Sequence, residues 1–185
     1  MVARLKALVL ASGSGSIAQT VFDASKSGVL NIEILALISD RKCLALKRAS
    51  AHEIPAIHMP LAGDRIKWNS DLLAKVEDFA PDLILSLGFM RILDKSLLKK
   101  FKVINTHPSY LPNFPGAHAV KDALQSGVSS SGCTIHWVDE GVDTGEIIAQ
   151  RVVPILPGDS ESGLHERIKV EERVLIIEVL QNLAL

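Results

Sequence analysis

The strongest constraint on this chain is an alternation. Apolar runs at residues 7–11, 32–39, 55–59 and 83–87 are each only a few residues long. Between them, residues 17–25, 44–52 and 67–79 carry helical spacing, clearest in Leu72, Leu73, Val76 and Phe79. Strands that alternate with helices pair in parallel, because a parallel connection needs a crossover long enough to hold a helix. The runs are almost continuously apolar, as in a sheet covered on both faces. A short helix with a basic end follows at 93–100. The expected fold is α/β, a mostly parallel sheet with helices on both faces.

The later part changes character. Residues 103–105 read as a strand, 107–116 as a Pro-rich loop and 119–126 as a helix. Residues 132–138 and 146–153 read as two strands joined by the loop 139–145, an antiparallel addition near the C-terminus. Residues 161–183 read as a long amphipathic helix with Leu164, Ile168, Val174, Leu175, Val179 and Leu180 inward. No composition break, repeat or linker divides the chain, so residues 1–185 read as a single domain.

Composition narrows the function. Twenty Lys and Arg against 21 Asp and Glu leave a net charge of −1, which argues against a whole-domain grip on nucleic acid or an anionic membrane. Aromatics at 4% disfavour a stacking platform for single-stranded nucleic acid. Cys43 and Cys133 form no metal-spaced pair and read as thiols of a reducing compartment, so neither a disulfide framework nor a metal is expected. No apolar run approaches the ~20 residues of a membrane span. The basic and apolar start at residues 1–16 runs into a Gly/Ser turn and reads as a first strand and corner rather than a leader, so the expected compartment is the cytoplasm. The sequence leaves the oligomeric state open, a homodimer included.

Four segments could carry chemistry. Ser12-Gly13-Ser14-Gly15-Ser16 sits between a strand and a helix, where backbone N–H groups bind phosphate; the same residues also suit a plain tight turn. Asn105 and His107 lie two apart after a strand and so face one side, at the strand end where parallel sheets bind ligands. Asn offers an uncharged donor and His a group that titrates near neutrality; a loop histidine satisfying a backbone carbonyl is the plainer reading. Asp139, Glu140 and Asp143 crowd one turn, but without the spacing of a calcium loop. The corner 88–93 (GFMRIL) reads by pattern alone as core, and His52, His58 and His165 read as structural.

Taken together, the Gly/Ser turn, GFMRIL (88–93), NTHPSYLPNFPGAHAV (105–120), GCTIHWVDEGVDTG (132–145) and LHERIKVEERVL (164–175) follow one order. In that order the chain resembles the phosphoribosylglycinamide formyltransferase family, the folate-dependent formyl transferases of purine biosynthesis. The resemblance spans essentially the whole chain. Related formyl transferases that act on methionyl-tRNA look similar in this half and carry a further C-terminal domain.

The resemblance implies a Rossmann-like formyltransferase fold with a nucleotide-binding half over about 1–100 and a catalytic half over about 101–185. It implies a catalytic trio of Asn105, His107 and Asp143. It matches folate contacts to Arg65, to Met90, Arg91, Ile92 and Leu93, to Asn105, and to Asp139, Glu140, Gly141 and Val142. It matches glycinamide ribonucleotide contacts to Gly15, Ser16, Ile17 and Glu172, and gives His118 a supporting place. Two positions depart from the family pattern: Ile17 stands where Asn is frequent, and Thr144-Gly145-Glu146 where Gly-Gly-Pro is frequent. The implied reaction moves the formyl group of 10-formyltetrahydrofolate, as co-substrate and without a metal, to the amine of 5′-phosphoribosylglycinamide. In it a protonated His107, kept cationic by Asp143, and the Asn105 amide stabilise the oxyanion. The alternative implied is a formyl or hydroxymethyl transferase acting on another amine, such as a sugar nucleotide.

Overall fold

The computed structural model describes residues 3–184; the sequence-based readings that include residues 1, 2 and 185 lie outside them at those positions. Seven strands form one sheet in the order β3-β2-β1-β4-β5-β6-β7. They are β1 (Leu5–Leu10), β2 (Ile32–Ser39), β3 (Ala56–His58), β4 (Leu83–Ser86), β5 (Val103–His107), β6 (Ser130–Trp137) and β7 (Ile147–Pro154). The first five run parallel, while β6 and β7 are antiparallel to their neighbours. Chain order reverses between β1 and β4, and in such sheets the crevice beyond the carboxyl ends at that reversal receives ligands.

Helices α1 (Ser16–Lys26), α2 (Leu44–Ala51), α5 (Ala119–Ser126) and α6 (Glu161–Leu183) surround one core cluster; α3 (Arg65–Phe79) and α4 (Lys95–Leu98) cover the other. The period-2 geometry of β1 divides its side chains accordingly. Ala7, Val9 and Ala11 face the first cluster, and Leu8 and Leu10 the second, all fully buried. The continuous apolar run in the sequence has this cause.

Three expectations are corrected. The strand expected to end at Asn105 continues through His107, because β6 pairs with it as far as His107↔Thr134. His107 therefore sits on the sheet and not in a loop. Helix α4 is shorter than 93–100, because Asp94 caps it by accepting the Ser96 N–H. Val174 is 44% exposed; the inward stripe of α6 runs Leu164, Ile168, Glu172, Leu175/Ile176 and Val179/Leu180. A carboxylic acid thus occupies a core position of that helix.

Candidate active site

A cavity of about 650 Å³ opens at the β1/β4 reversal. Its size is in the usual range for a small-molecule site. The turn 12–17 forms one side, the corner 86–93 another, and the ends of β5 and β6 with the loop 138–143 close a third. His165, Lys169 and Glu172, spaced along one face of α6, complete it. Both halves of the chain contribute.

Asn105 and His107 project from the same face of β5, and β6 sets His136 opposite Asn105. Ser86 on β4 donates to Asn105 Oδ1 at 2.8 Å, and Asn105 Nδ2 lies 3.2 Å from His136 Nε2. Asp143 reaches in from the loop between β6 and β7. One of its oxygens is 3.3 Å from His107 Nδ1 and the other 3.5 Å from His136 Nε2. The Gly116 N–H donates to Asp143 at 2.7 Å, and His107 Nε2 meets the Phe114 carbonyl at 2.9 Å. The loop after β5 therefore grips both His107 and Asp143. Thr134 Oγ1 pins that loop, accepting from Leu111 N–H and Gln150 Nε2 and donating to the Ser109 carbonyl.

Opposing influences act on the charge of His107. Burial pulls its pKa below the usual imidazole range, outweighing the Phe114 carbonyl and Asp143, which raise it. Asp143 is itself held below the usual carboxylate range: burial raises it, but His136 when protonated, the Gly116 N–H and the charge on His107 when protonated more than offset this. Burial thus favours a neutral imidazole beside the Asp143 carboxylate.

The Gly/Ser turn opens α1. Gly15 precedes the first helical residue in the left-handed region, at φ 68°, and no side chain caps the helix. A Cβ on Gly15 would lie 2.6 Å from Ala45 Cβ, so α2 packs directly against the turn. From α2, Ala45 N–H donates to the Gly13 carbonyl and Arg48 Nε to the Ser14 carbonyl. These carbonyls are engaged by α2, and residues 12–17 of the turn line the cavity. Ile17 lines the cavity but offers no side-chain donor.

The corner after β4 is braced from within. Asp40, with a fully buried side chain, accepts from Ser12 Oγ at 2.5 Å and from Arg91 Nε at 2.7 Å. Ser12 Oγ in turn accepts the Met90 N–H at 2.9 Å. Met90, Ile92 and Val142 are 52%, 63% and 48% exposed at the cavity, an apolar lip of a kind that proteins cover with a ligand. In the loop, Thr144 Oγ1 donates to the Asp139 carboxylate, and this bond ties the loop where the frequent Pro is missing.

Other expected residues lie elsewhere. Arg65 stands outside the cavity wall and donates to the Ile92 carbonyl, supporting the corner from behind. His118 occupies the capping position of α5, and Glu140 is exposed on the loop; neither lines the cavity. His165, read as structural, does line it. His52 is held by Asp23 and Gln19 on the outer side of α1. Sequence reasoning missed Ser86, His136 and Asp40 as site residues. Glu172 is 3% exposed, and burial pushes its carboxyl up to about 7 despite Lys169 and Arg173. Among the described residues, no group of three His, Cys, Asp or Glu side chains gathers as for a metal, and no helix is long and apolar enough to cross a membrane.

Known proteins are similar to this chain in sequence and backbone. Residues 5–180 match the family described as Formyl transferase. Over 181 residues the chain is 44% identical to the phosphoribosylglycinamide formyltransferase of Mycobacterium tuberculosis (strain ATCC 25618 / H37Rv), covering 96% of this chain and 84% of that protein. It is 37% identical over 186 residues to the trifunctional purine biosynthetic protein adenosine-3 of Homo sapiens, covering 98% of this chain and 18% of that protein. Glycinamide ribonucleotide transformylase 1 from Geobacillus kaustophilus superposes with a TM-score of 0.92 at 38% identity, over 98% of this chain and 99% of that one. Identity at this level over nearly the whole length, on a shared backbone, makes the chain a member of the formyl transferase family.

Proposed function

We propose that the protein transfers the formyl group of 10-formyltetrahydrofolate to the amine of 5′-phosphoribosylglycinamide, a step of purine biosynthesis carried out in the cytoplasm. The observation that carries this reading is the convergence of Asn105, His107 and Asp143 between an anion-ready helix start and an apolar lip, in one cavity. The turn at Gly15 and Ser16 holds the phosphate through backbone N–H groups at the start of α1. Glu172 accepts from donors of the same substrate, and Ile17 packs beside it. Met90, Arg91, Ile92 and Leu93 with Asp139, Gly141 and Val142 hold the flat ring of the folate. Arg65 acts on it through the Ile92 carbonyl.

Asn105 donates an N–H to the formyl oxygen as negative charge develops there, a contribution of ~3–4 kcal/mol for a preorganised donor. The incoming amine bonds to the formyl carbon and pushes the carbonyl pair onto oxygen as an oxyanion; that pair then re-forms the carbonyl as the bond from the carbon to the folate nitrogen breaks. One proton must travel from the amine to the departing nitrogen. The His107–Asp143 pair takes that proton: its two facing atoms, Nδ1 and a carboxylate oxygen, are 3.3 Å apart. His107 becomes cationic only then, while the oxyanion is present, and surrenders the proton as the folate nitrogen leaves. Burial that keeps the resting imidazole neutral makes this charge transient.

The test is turnover. The purified protein is mixed with 10-formyltetrahydrofolate and 5′-phosphoribosylglycinamide, and release of tetrahydrofolate is followed by ultraviolet absorbance. Release that requires this amine supports the proposal. Release only with another amine, such as a sugar nucleotide, replaces it with a formyl or hydroxymethyl transferase acting on that amine. Binding of both ligands without release leaves a non-catalytic binding module.

A further inference from the structure

A row of polar side chains crosses three adjacent strands at the carboxyl end of the sheet. Ser86 on β4 is in register with Asn105 on β5, and Asn105 with His136 on β6. Ser86 and His136 are 5% and 2% exposed. The reaction proposed above uses only Asn105 among them. The polarity of the row is set at its far end. The Trp137 carbonyl lies 2.8 Å from His136 Nδ1, and a carbonyl can only accept, so Nδ1 carries the hydrogen. Two groups face Nε2, the Asn105 amide nitrogen at 3.2 Å and an Asp143 oxygen at 3.5 Å; with the ring neutral and its hydrogen on Nδ1, Nε2 presents a lone pair, which accepts from the nearer amide. Oδ1 of Asn105 is left facing Ser86, whose hydroxyl donates to it. Asn105 Nδ2 keeps a second N–H without a protein partner among the described residues, on the cavity wall.

We propose that Ser86 and His136 are positioning residues that fix the orientation of the Asn105 amide, so that it offers the substrate a donor and never an acceptor. Turned over, the amide would aim carbonyl lone pairs at the formyl oxygen, and a stabilising contact would become a repulsive one. The effect on rate rests on the formyl-transfer reading; the orientation itself does not.

Ser86→Thr and Ser86→Val have the same shape and differ only in a hydroxyl for a methyl. Ser86→Val is expected to lower kcat by about tenfold or more, at unchanged KM for both substrates and with the melting temperature of Ser86→Thr. Ser86→Thr is expected to keep kcat within about threefold of wild type. Ser86→Ala, which adds no atom to the site, should lose kcat as Ser86→Val does. Equal kcat in the Thr and Val variants, or a loss carried by KM, overturns the role of Ser86. Long-range proton–nitrogen NMR of the histidine rings, with His136 assigned by its loss in His136→Gln, needs no turnover. It should show Nδ1 protonated and Nε2 bare in His136. The opposite tautomer or a cationic ring overturns the orientation. A wild-type protein that is inactive with both substrates overturns the functional reading alone, and the NMR result still decides the geometry.

Discussion

Burial and the neighbouring carboxylate act on His107 in opposite directions, and burial is the larger. This sets what the pair can do. His107→Ala removes the proton store but leaves β5, the corner and the Gly/Ser turn in place. Turnover is expected to fall by about a hundredfold or more, with folate affinity by calorimetry and the circular dichroism spectrum unchanged. Near-normal turnover would remove His107 from the chemistry. Asp143→Asn removes a charge that raises the imidazole pKa, so the His107 titration should move further toward acid. An unmoved His107 titration by NMR would remove the electrostatic role and leave Asp143 a proton relay or a backbone anchor for Gly116. Asn105 and His107 were legible in the sequence because residues two apart on a strand share a face. Ser86, His136 and Asp40 were not, because strand register and a fold-back of the chain bring them in from distances of 19, 31 and 51 residues. No local pattern marks such a pairing: Ser86 sits within an apolar run and reads as core.

At the level of elements, the parallel sheet and the closing hairpin were legible because pattern and period agree there. The errors fell where a tertiary partner decides the outcome. Strand β5 gained two residues from pairing with β6, and α6 turns Val174 outward while Glu172 joins its buried stripe. The Gly/Ser turn shows the same dependence. The sequence left the turn open between a phosphate site and a plain tight turn; a Cβ on Gly15 would strike Ala45 on α2 before any ligand arrives. At Gly13 a Cβ meets nothing within 4 Å. Gly15→Ala should therefore lose most affinity for 5′-phosphoribosylglycinamide and lower stability, from both the contact and the left-handed φ. Gly13→Ala should retain both, and equal behaviour of the two variants in calorimetric titration would deny α2 its part in shaping the turn. Ile17→Asn restores a side-chain donor to the same turn. A neutral hydrogen bond is worth ~0.5–1.5 kcal/mol, so this substrate should bind roughly threefold to tenfold more tightly and folate no differently. Unchanged affinity would mean that backbone N–H groups alone hold the phosphate.

For the molecule as a whole, the cost of the cavity is concentrated in Glu172. It occupies the buried stripe by which α6 packs on the sheet, and burial holds its proton up to about 7, against 4.5 for the free side chain. A carboxyl with a raised folded pKa lets the folded state keep a proton that the unfolded chain has lost. Folding stability from this group is therefore intact below about pH 4.5, declines as pH rises from 4.5 to about 7, and is level above that. The full decline is about 3 kcal/mol, a large share of the net stability of a domain this size. Glu172→Gln keeps the shape and cannot ionise. Its melting temperature should match wild type near pH 4.5 and exceed it progressively toward pH 7.5, since other titrating groups cancel in the difference. Affinity for the amine substrate should fall in the same variant, because the acceptor charge that destabilises the fold is the one the ligand uses. Melting curves of both proteins across this range decide it. A difference that does not change with pH would show that the Glu172 carboxyl is not held protonated by burial, and the link between its burial and substrate binding would be lost.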